Sequence, residues 1–299
     1  MSQAATTADA YPSRIHDKPS VTPRQDPVVW SSARDAAPCS ETELAHYEEN
    51  GFLILPDLFD AAEVEELCAA TDSARAHVAT EIDPDTVITE PGSQAVRSIF
   101  AIHRQNAHIG KLMRDPRLTD FARFVLDDDI YIHQSRLNYK PGFSGREFWW
   151  HSDFETWHIE DGMPRMRALS VSLMLTDNLV TNGPLMLING SHKHYVACVG
   201  ETPPEHFKAS LRKQEYGVPD HDSIERLAER GIRPAVARAG SAVIFDCNVL
   251  HGSAGNITPF PRSNLFFVYN AVSNAVVAPF SGQPPRPEHI ATRTDIKPI

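Results

Sequence analysis

The chain has 299 residues, a formal net charge of −11 at pH 7, 41% hydrophobic residues and 14 histidines. That acidity, with a pI near 5.7, argues against nucleic acid or an anionic membrane surface as the main partner. No apolar run approaches the roughly 18 residues of a membrane helix. The start, MSQAATTADAYPSRIHDKPS, lacks the apolar core of a secretory signal, so a cytoplasmic protein is expected. Cys39, Cys68, Cys198 and Cys247 are scattered without CxxC spacing and are expected to be reduced and structural.

Residues 1–38 carry Pro12, Pro19, Pro23, Pro27 and Pro38 and read as an arm laid over the surface or partly disordered. Ser40 and Glu43 then have the spacing of a capping box, and Gly51 gives a stop, so a short helix is predicted between them. FLIL at 52–55 reads as a buried strand ended by Pro56. Asp60 is placed to cap a second helix from about Ala61, with Val64, Leu67 and Cys68 along one face. Residues 96–103 (VRSIFAIH) read as a strand, and two shorter helical patterns follow on either side of Pro116.

From Asp128 onward the pattern is of strands. Residues 129–140 (DIYIHQSRLNYK) put Ile130, Ile132, Gln134, Arg136, Asn138 and Lys140 on one face by simple alternation. That face is apolar at one end and polar at the other, and the polar end either meets solvent or lines a polar cavity. Further strands are expected at 168–175, 184–188, 241–247 and 264–272, each bounded by Gly, Pro or Asn, with a helical insertion at about 222–230. No internal repeat is evident. The fold class is mainly β with flanking helices: a double-stranded β-helix, or jelly roll of cupin type, with an N-terminal helical layer. Residues 39–299 are expected to form a single domain, its jelly-roll core spanning about 96–275.

The densest chemistry lies at 148–164, FWWHSDFETWHIEDGMP, where ionisable groups interleave with large aromatics. Such groups are costly to bury without partners, and a metal ion would supply one. His151 and Asp153 are separated by one residue, so on an extended strand both side chains would reach one ion. A further histidine would complete a two-His, one-carboxylate triad of the kind that binds non-haem Fe(II) with coordination positions left open. Any single histidine among 14 is more often structural, but His251 ends the run SAVIFDCNVL and is followed, eleven residues on, by Arg262 at the start of another strand. If those two strands are antiparallel neighbours, Arg262 points into the same cavity, where it would pair with a carboxylate. That combination suits Fe(II) together with 2-oxoglutarate, whose far carboxylate needs a cation.

HSD followed by a distal His and then Arg resembles the Fe(II)/2-oxoglutarate-dependent dioxygenases, and more narrowly their phytanoyl-CoA-hydroxylase-like branch. The longer string FWWHSDFETWHIEDGMPRMRALS, with IHQSRLNYKPGF before it and FDCNVLHGSAGNITPFPR after it, is similar to the ectoine hydroxylases. The likeness runs from about residue 46 to 287. It implies hydroxylation of ectoine, a small cyclic zwitterion, to 5-hydroxyectoine, with O2 consumed and succinate and CO2 released, in compatible-solute biosynthesis. It implies His151, Asp153 and His251 as iron ligands, and Arg262, Lys140, Asn138 and Ser253 around 2-oxoglutarate. Around the substrate it implies Gln134, Trp157, Phe266 and Arg286. Beyond Asn274 the chain departs from the family pattern, keeping of it in PRPEHIATR only PRP and an arginine rhythm.

The residue types suit the substrate. An arginine would hold the carboxylate, Trp157 and Phe266 would face the delocalised cationic ring, and Gln134 would accept from a ring N–H. Trp149 and Trp150 read as packing, and Glu155, His158, Glu160 and Asp161 as hydrogen-bonding support rather than catalysis. No nucleic acid or membrane partner is expected, and a homodimer is the assembly considered. Other readings are a dioxygenase of the same fold acting on a molecule such as proline, a zinc hydrolase using the same three ligands, and a non-catalytic solute-binding cupin.

Overall fold

The computed structural model describes residues 9–76, 82–211 and 215–299. The strands are β1 (Ser20–Pro23), β2 (Phe52–Leu55), β3 (Val87–Thr89), β4 (Val96–Phe100), β5 (Ile130–Lys140), β6 (Phe148–His151) and β7 (Ala168–Met174), then β8 (Met186–Ile188), β9 (His194–Ala197), β10 (Ile232–Pro234), β11 (Ala242–Asp246), β12 (His251–Ser253) and β13 (Arg262–Ala271). Seven of them form one sheet in the order β2-β11-β7-β13-β5-β4-β3, and four form a second in the order β10-β8-β12-β6. Every pairing is antiparallel. The two sheets face each other as the jelly-roll reading requires. Among the described residues no helix is long and apolar enough to cross a membrane.

Alternation along β13 shows how the layers form. Leu265, Phe267 and Tyr269 join the main core with Leu67, Ile109, Leu118 and Phe121 of the helical layer. Phe266, on the opposite face, packs with Met174, Val243 and Phe245 of the large sheet, with Leu187 of β8 in the small one and with Leu185 just before it. Successive side chains thus serve the helical layer and the inter-sheet space in turn.

The N-terminal signals act as read. Ser40 and Glu43 close the capping box of the helix Glu41–Asn50, and Gly51 ends it at φ 85°. A Cβ at Gly51 would lie 2.5 Å from both His192 and Val249, so the chain turns there only because no side chain is present. Residues 96–103 are a shorter strand than expected. It ends at Phe100, because Ala101 adopts a left-handed conformation and Ile102–Gln105 form a helical turn. The described part of the arm is held down rather than loose: β1 pairs with β9, Tyr11 is buried with its hydroxyl on Asp26, and Arg24 meets Asp246 at 2.8 Å.

The polar face of β5 departs from simple alternation. Val268 pairs with Gln134 and Tyr269 with Ile132, so His133 is an extra residue without an opposite number on β13. This bulge reverses the phase of the strand. Ile130 and Ile132 lie in the main core, and so does Leu137 on the far side of the bulge. Arg136 and Asn138 therefore face the inter-sheet pocket, while the isoleucines of the same sequence parity face the helices. The apolar and polar ends occupy opposite sides of the sheet, not one mixed face.

Candidate active site

A pocket between the sheets is walled by Arg136 and Asn138 of β5, His151, His251 and Ser253 of the small sheet, and Arg262 and Phe266 of β13. His151 and Asp153 do not share a strand, as the alternation had suggested. β6 ends at His151, Ser152 caps the turn with its hydroxyl, and Asp153 opens a short helix, Asp153–Thr156. The chain then widens into one π-helical turn, Trp157–Asp161, ended by Gly162. The change from strand to helix at Ser152, rather than strand parity, brings the two side chains together.

His251 is opposite His151 on the neighbouring strand β12. Their ring centroids are 4.3 Å apart. His151 Nε2 is 3.7 Å and His251 Nε2 3.9 Å from the Asp153 carboxylate oxygens. These spacings exceed a hydrogen bond, and one donor atom from each of the three residues lies within 4.8 Å of the others. Both rings are fixed from behind. His151 Nδ1 is 2.7 Å from Trp149 O and His251 Nδ1 is 3.0 Å from Val249 O. A carbonyl only accepts, so Nδ1 carries the hydrogen in each ring and Nε2 presents its lone pair toward Asp153.

The electrostatics match that donor set. Burial, with His251 alongside, pushes His151 down to about 4, leaving a neutral imidazole at pH 7. Burial alone would raise Asp153, but His251, Arg136 and His151 outweigh it and hold the carboxyl below its usual range. Two imidazoles and one carboxylate, buried and facing one another, form a site that fits a divalent ion with open positions.

Arg262 enters the pocket from the other sheet. The run expected to end at His251 divides into β11, which shares the large sheet with β13 but is separated from it by β7, and β12, which carries His251 in the other sheet. β13 pairs with β5 and β7, so the two expected strands are not neighbours. The Arg262 guanidinium is buried. Nη1 donates to Gly183 O at 2.8 Å, Nε has no partner, and no carboxylate meets it among the described residues. Burial, with Arg97 and Arg136 adding to it, lowers Arg262 to about 10. Lys140, opposite Arg262 in register, is buried too and donates to Ser253 Oγ at 2.8 Å and to Ala254 O. Burial and then Arg262 bring it to about 6. Asn138 Oδ1 accepts from Ser98 Oγ at 2.7 Å. A buried guanidinium without a carboxylate among the described residues, beside an amine held largely neutral, is a cost that an anionic ligand removes, and such a ligand would return the charge to Lys140.

The substrate-side residues divide. Phe266 lines the pocket. Gln134, whose amide nitrogen donates to Ile290 O at 2.8 Å, and Trp157, edge-on to His133 at 5.4 Å among Phe154, Met163 and Val268, lie outside the pocket walls. Arg286 is also buried but is committed to Asp161, Nε at 2.7 Å and Nη2 at 2.6 Å. Besides Arg262, Arg136 faces the pocket with no carboxylate partner among the described residues, its guanidinium carbon 4.9 Å from the Phe266 ring centroid. Alternation places Arg136 on the polar run between Gln134 and Asn138, with a cavity wall as one of its two readings, but assigns it no ligand. The bulge that turns it inward is not visible in the sequence.

A family model described as phytanoyl-CoA dioxygenase (PhyH) matches residues 47–264. The ectoine dioxygenase of Stutzerimonas stutzeri is 55% identical over 98% of this chain and 97% of its own length. That of Sphingopyxis alaskensis is 54% identical over 95% and 93%. The crystal structure of EctD from S. alaskensis with 2-oxoglutarate and 5-hydroxyectoine superposes with a TM-score of 0.88 at 49% identity, covering 97% of each chain. The same protein with bound Fe gives 0.87. The chain belongs to the phytanoyl-CoA dioxygenase family, among its ectoine dioxygenases.

Proposed function

We propose that this protein hydroxylates ectoine to 5-hydroxyectoine, using Fe(II), 2-oxoglutarate and O2 and releasing succinate and CO2. The observation that carries this reading is one pocket that brings together the His151–Asp153–His251 donor set and two arginines, Arg262 and Arg136, without carboxylate partners among the described residues. A keto diacid and a zwitterionic substrate bring one carboxylate each for those arginines. The ectoine dioxygenases at 54–55% identity and the EctD structure holding 2-oxoglutarate and 5-hydroxyectoine support the same substrate.

In this reading His151, Asp153 and His251 hold the iron. Once bound, the iron supplies the oxidation of the keto acid by O2 and the delivery of one oxygen to the substrate. Arg262 takes the far carboxylate of 2-oxoglutarate as a bidentate fork, Lys140 adds charge behind Ser253, and Asn138 is oriented by Ser98 to hydrogen-bond the keto acid. Arg136 takes the ectoine carboxylate, which brings the ectoine ring beside Phe266. Gln134 and Trp157, outside the pocket walls, support the substrate side from behind through Ile290 and Val268. Arg286 supports it through Asp161. Most of the pocket-lining groups named here are buried, which strengthens each of these contacts, and no side chain is needed as a general base.

The test is turnover by the purified protein with Fe(II), 2-oxoglutarate and either ectoine or proline. Succinate release matched by hydroxylated ectoine is expected, with proline inert. Hydroxylation of proline with ectoine inert would move the assignment to the other small amino-acid-like substrate.

A further inference from the structure

Arg14, in the N-terminal arm, is buried against the helix that follows Asp153. Its Nε and Nη2 donate to the two Glu155 oxygens at 2.9 and 2.7 Å. Nη1 donates to Glu160 Oε1 at 2.8 Å and to Thr202 Oγ1 at 3.2 Å. Ser13 adds a hydroxyl donor to Glu155 Oε1 at 2.6 Å. Glu160 also has His206 Nε2 at 2.8 Å from its Oε2, and Arg286 Nη1 at 3.6 Å. Gly217 approaches so closely that a Cβ there would lie 2.4 Å from Glu155 Oε2 and 2.6 Å from Arg14 Nη2. A second observation marks the residue. The Arg14 backbone is left-handed at φ 58°, a cost for a residue with a Cβ that persists only where the surroundings over-determine it.

Three parts of the chain meet at this guanidinium: the arm, the Asp153–Asp161 segment, and the stretch from Thr202 to Leu211. The second carries an iron ligand at one end and Trp157 in its middle. The third ends in Ser210 and Leu211, which line the pocket. We propose that Arg14 is a positioning residue for the substrate half of the active site, fixing Trp157 and the Ser210–Leu211 wall through Glu155 and Glu160 while leaving the iron and keto-acid half untouched. Arg14 touches no reacting atom. The keto-acid residues lie on β5 and β13, both iron-binding imidazoles are fixed by their own strands, and Asp153 is held by Ser170 Oγ and by Phe154 N–H donating to Cys247 O, so none of them depends on the arm. The inference rests on the ectoine reading above.

The test uses the full-length enzyme with Fe(II) and 2-oxoglutarate. Arg14→Lys keeps the charge but not the three-way fork. A rise of about tenfold in the KM for ectoine is expected, together with succinate formed in excess of hydroxyectoine. Iron retention and the KM for 2-oxoglutarate should stay within about twofold of wild type. Ser13→Ala removes the hydroxyl that donates to Glu155 and accepts from Cys198 N–H and keeps every ion pair, so it serves if the lysine variant does not fold; a rise of about threefold or more in the ectoine KM is expected, a part of what a hydrogen bond to a carboxylate is worth. A folded variant with wild-type ectoine KM and coupling overturns the proposal, as does a parallel loss of iron and keto-acid affinity. Wild-type enzyme that fails to oxidise ectoine refutes the functional reading instead, whatever the variants do.

Discussion

His151 and His251 each give one ring nitrogen to a backbone carbonyl, and the other then has one direction left to face. Replacing His151, Asp153 or His251 by Ala removes one of three donors, and loss of bound iron and of turnover is expected in each variant, measured by metal analysis and succinate release. The two unpaired arginines separate the ligands. Arg262→Ala should raise the KM for 2-oxoglutarate by roughly 30-fold or more, since a lost charge pair at a buried site costs a few kcal/mol, and leave that for ectoine much less changed. Arg136→Ala should do the reverse. Steady-state kinetics on both variants check the pair, and a swapped pattern would exchange the two carboxylate sites.

At the scale of elements, β5 decides which side chains reach the pocket, and the bulge at His133 decides β5. Leu137 faces the main core and Asn138 the pocket. Leu137→Ala should therefore cost about 2–5 kcal/mol of stability, read as a lowered denaturant midpoint, with little change in affinity. Asn138→Ala should weaken 2-oxoglutarate binding with a smaller stability loss. How much of this was legible follows from what each signal encodes. Capping at Ser40, the stop at Gly51 and the strand-dense second half are local features, and local chemistry specifies them. The triad was legible because residue type and spacing survive without knowledge of the fold, even though His151 and Asp153 meet through a strand-to-helix turn rather than strand parity. The bulge, the place of β12 across from β13, the commitment of Arg286 to Asp161 and the hub at Arg14 depend on partners 125 to 188 residues away or on one extra residue in a ladder. No sequence period reports those.

Across the whole molecule, folding buries titratable groups whose charged forms are disfavoured. His103 and His192 are each pushed down to about 4, with burial the largest cause in both. In the unfolded chain they titrate near 6.5, so between about pH 6.5 and 4 the unfolded state binds protons that the native state refuses, and stability falls as pH drops through that window. Asp161 extends the loss: burial raises it, but Arg286 and His133 outweigh that and leave it at about 2, so its contribution disappears between its unfolded value and pH 2. The thermal midpoint of the metal-free protein should therefore decline from pH 7 to 5, and less steeply in His103→Gln. A midpoint independent of pH over that range would contradict the neutral, buried state of these rings.

The central claim is that one pocket joins a two-histidine, one-carboxylate iron centre to separate arginines for a keto acid and a zwitterion. Turnover of ectoine under isotopically heavy O2, followed by mass spectrometry, tests it most directly. One heavy oxygen in 5-hydroxyectoine and one in succinate, formed in equal amounts, is the predicted result. Ectoine that gains no oxygen from O2, or succinate produced at the same rate without ectoine, would contradict it.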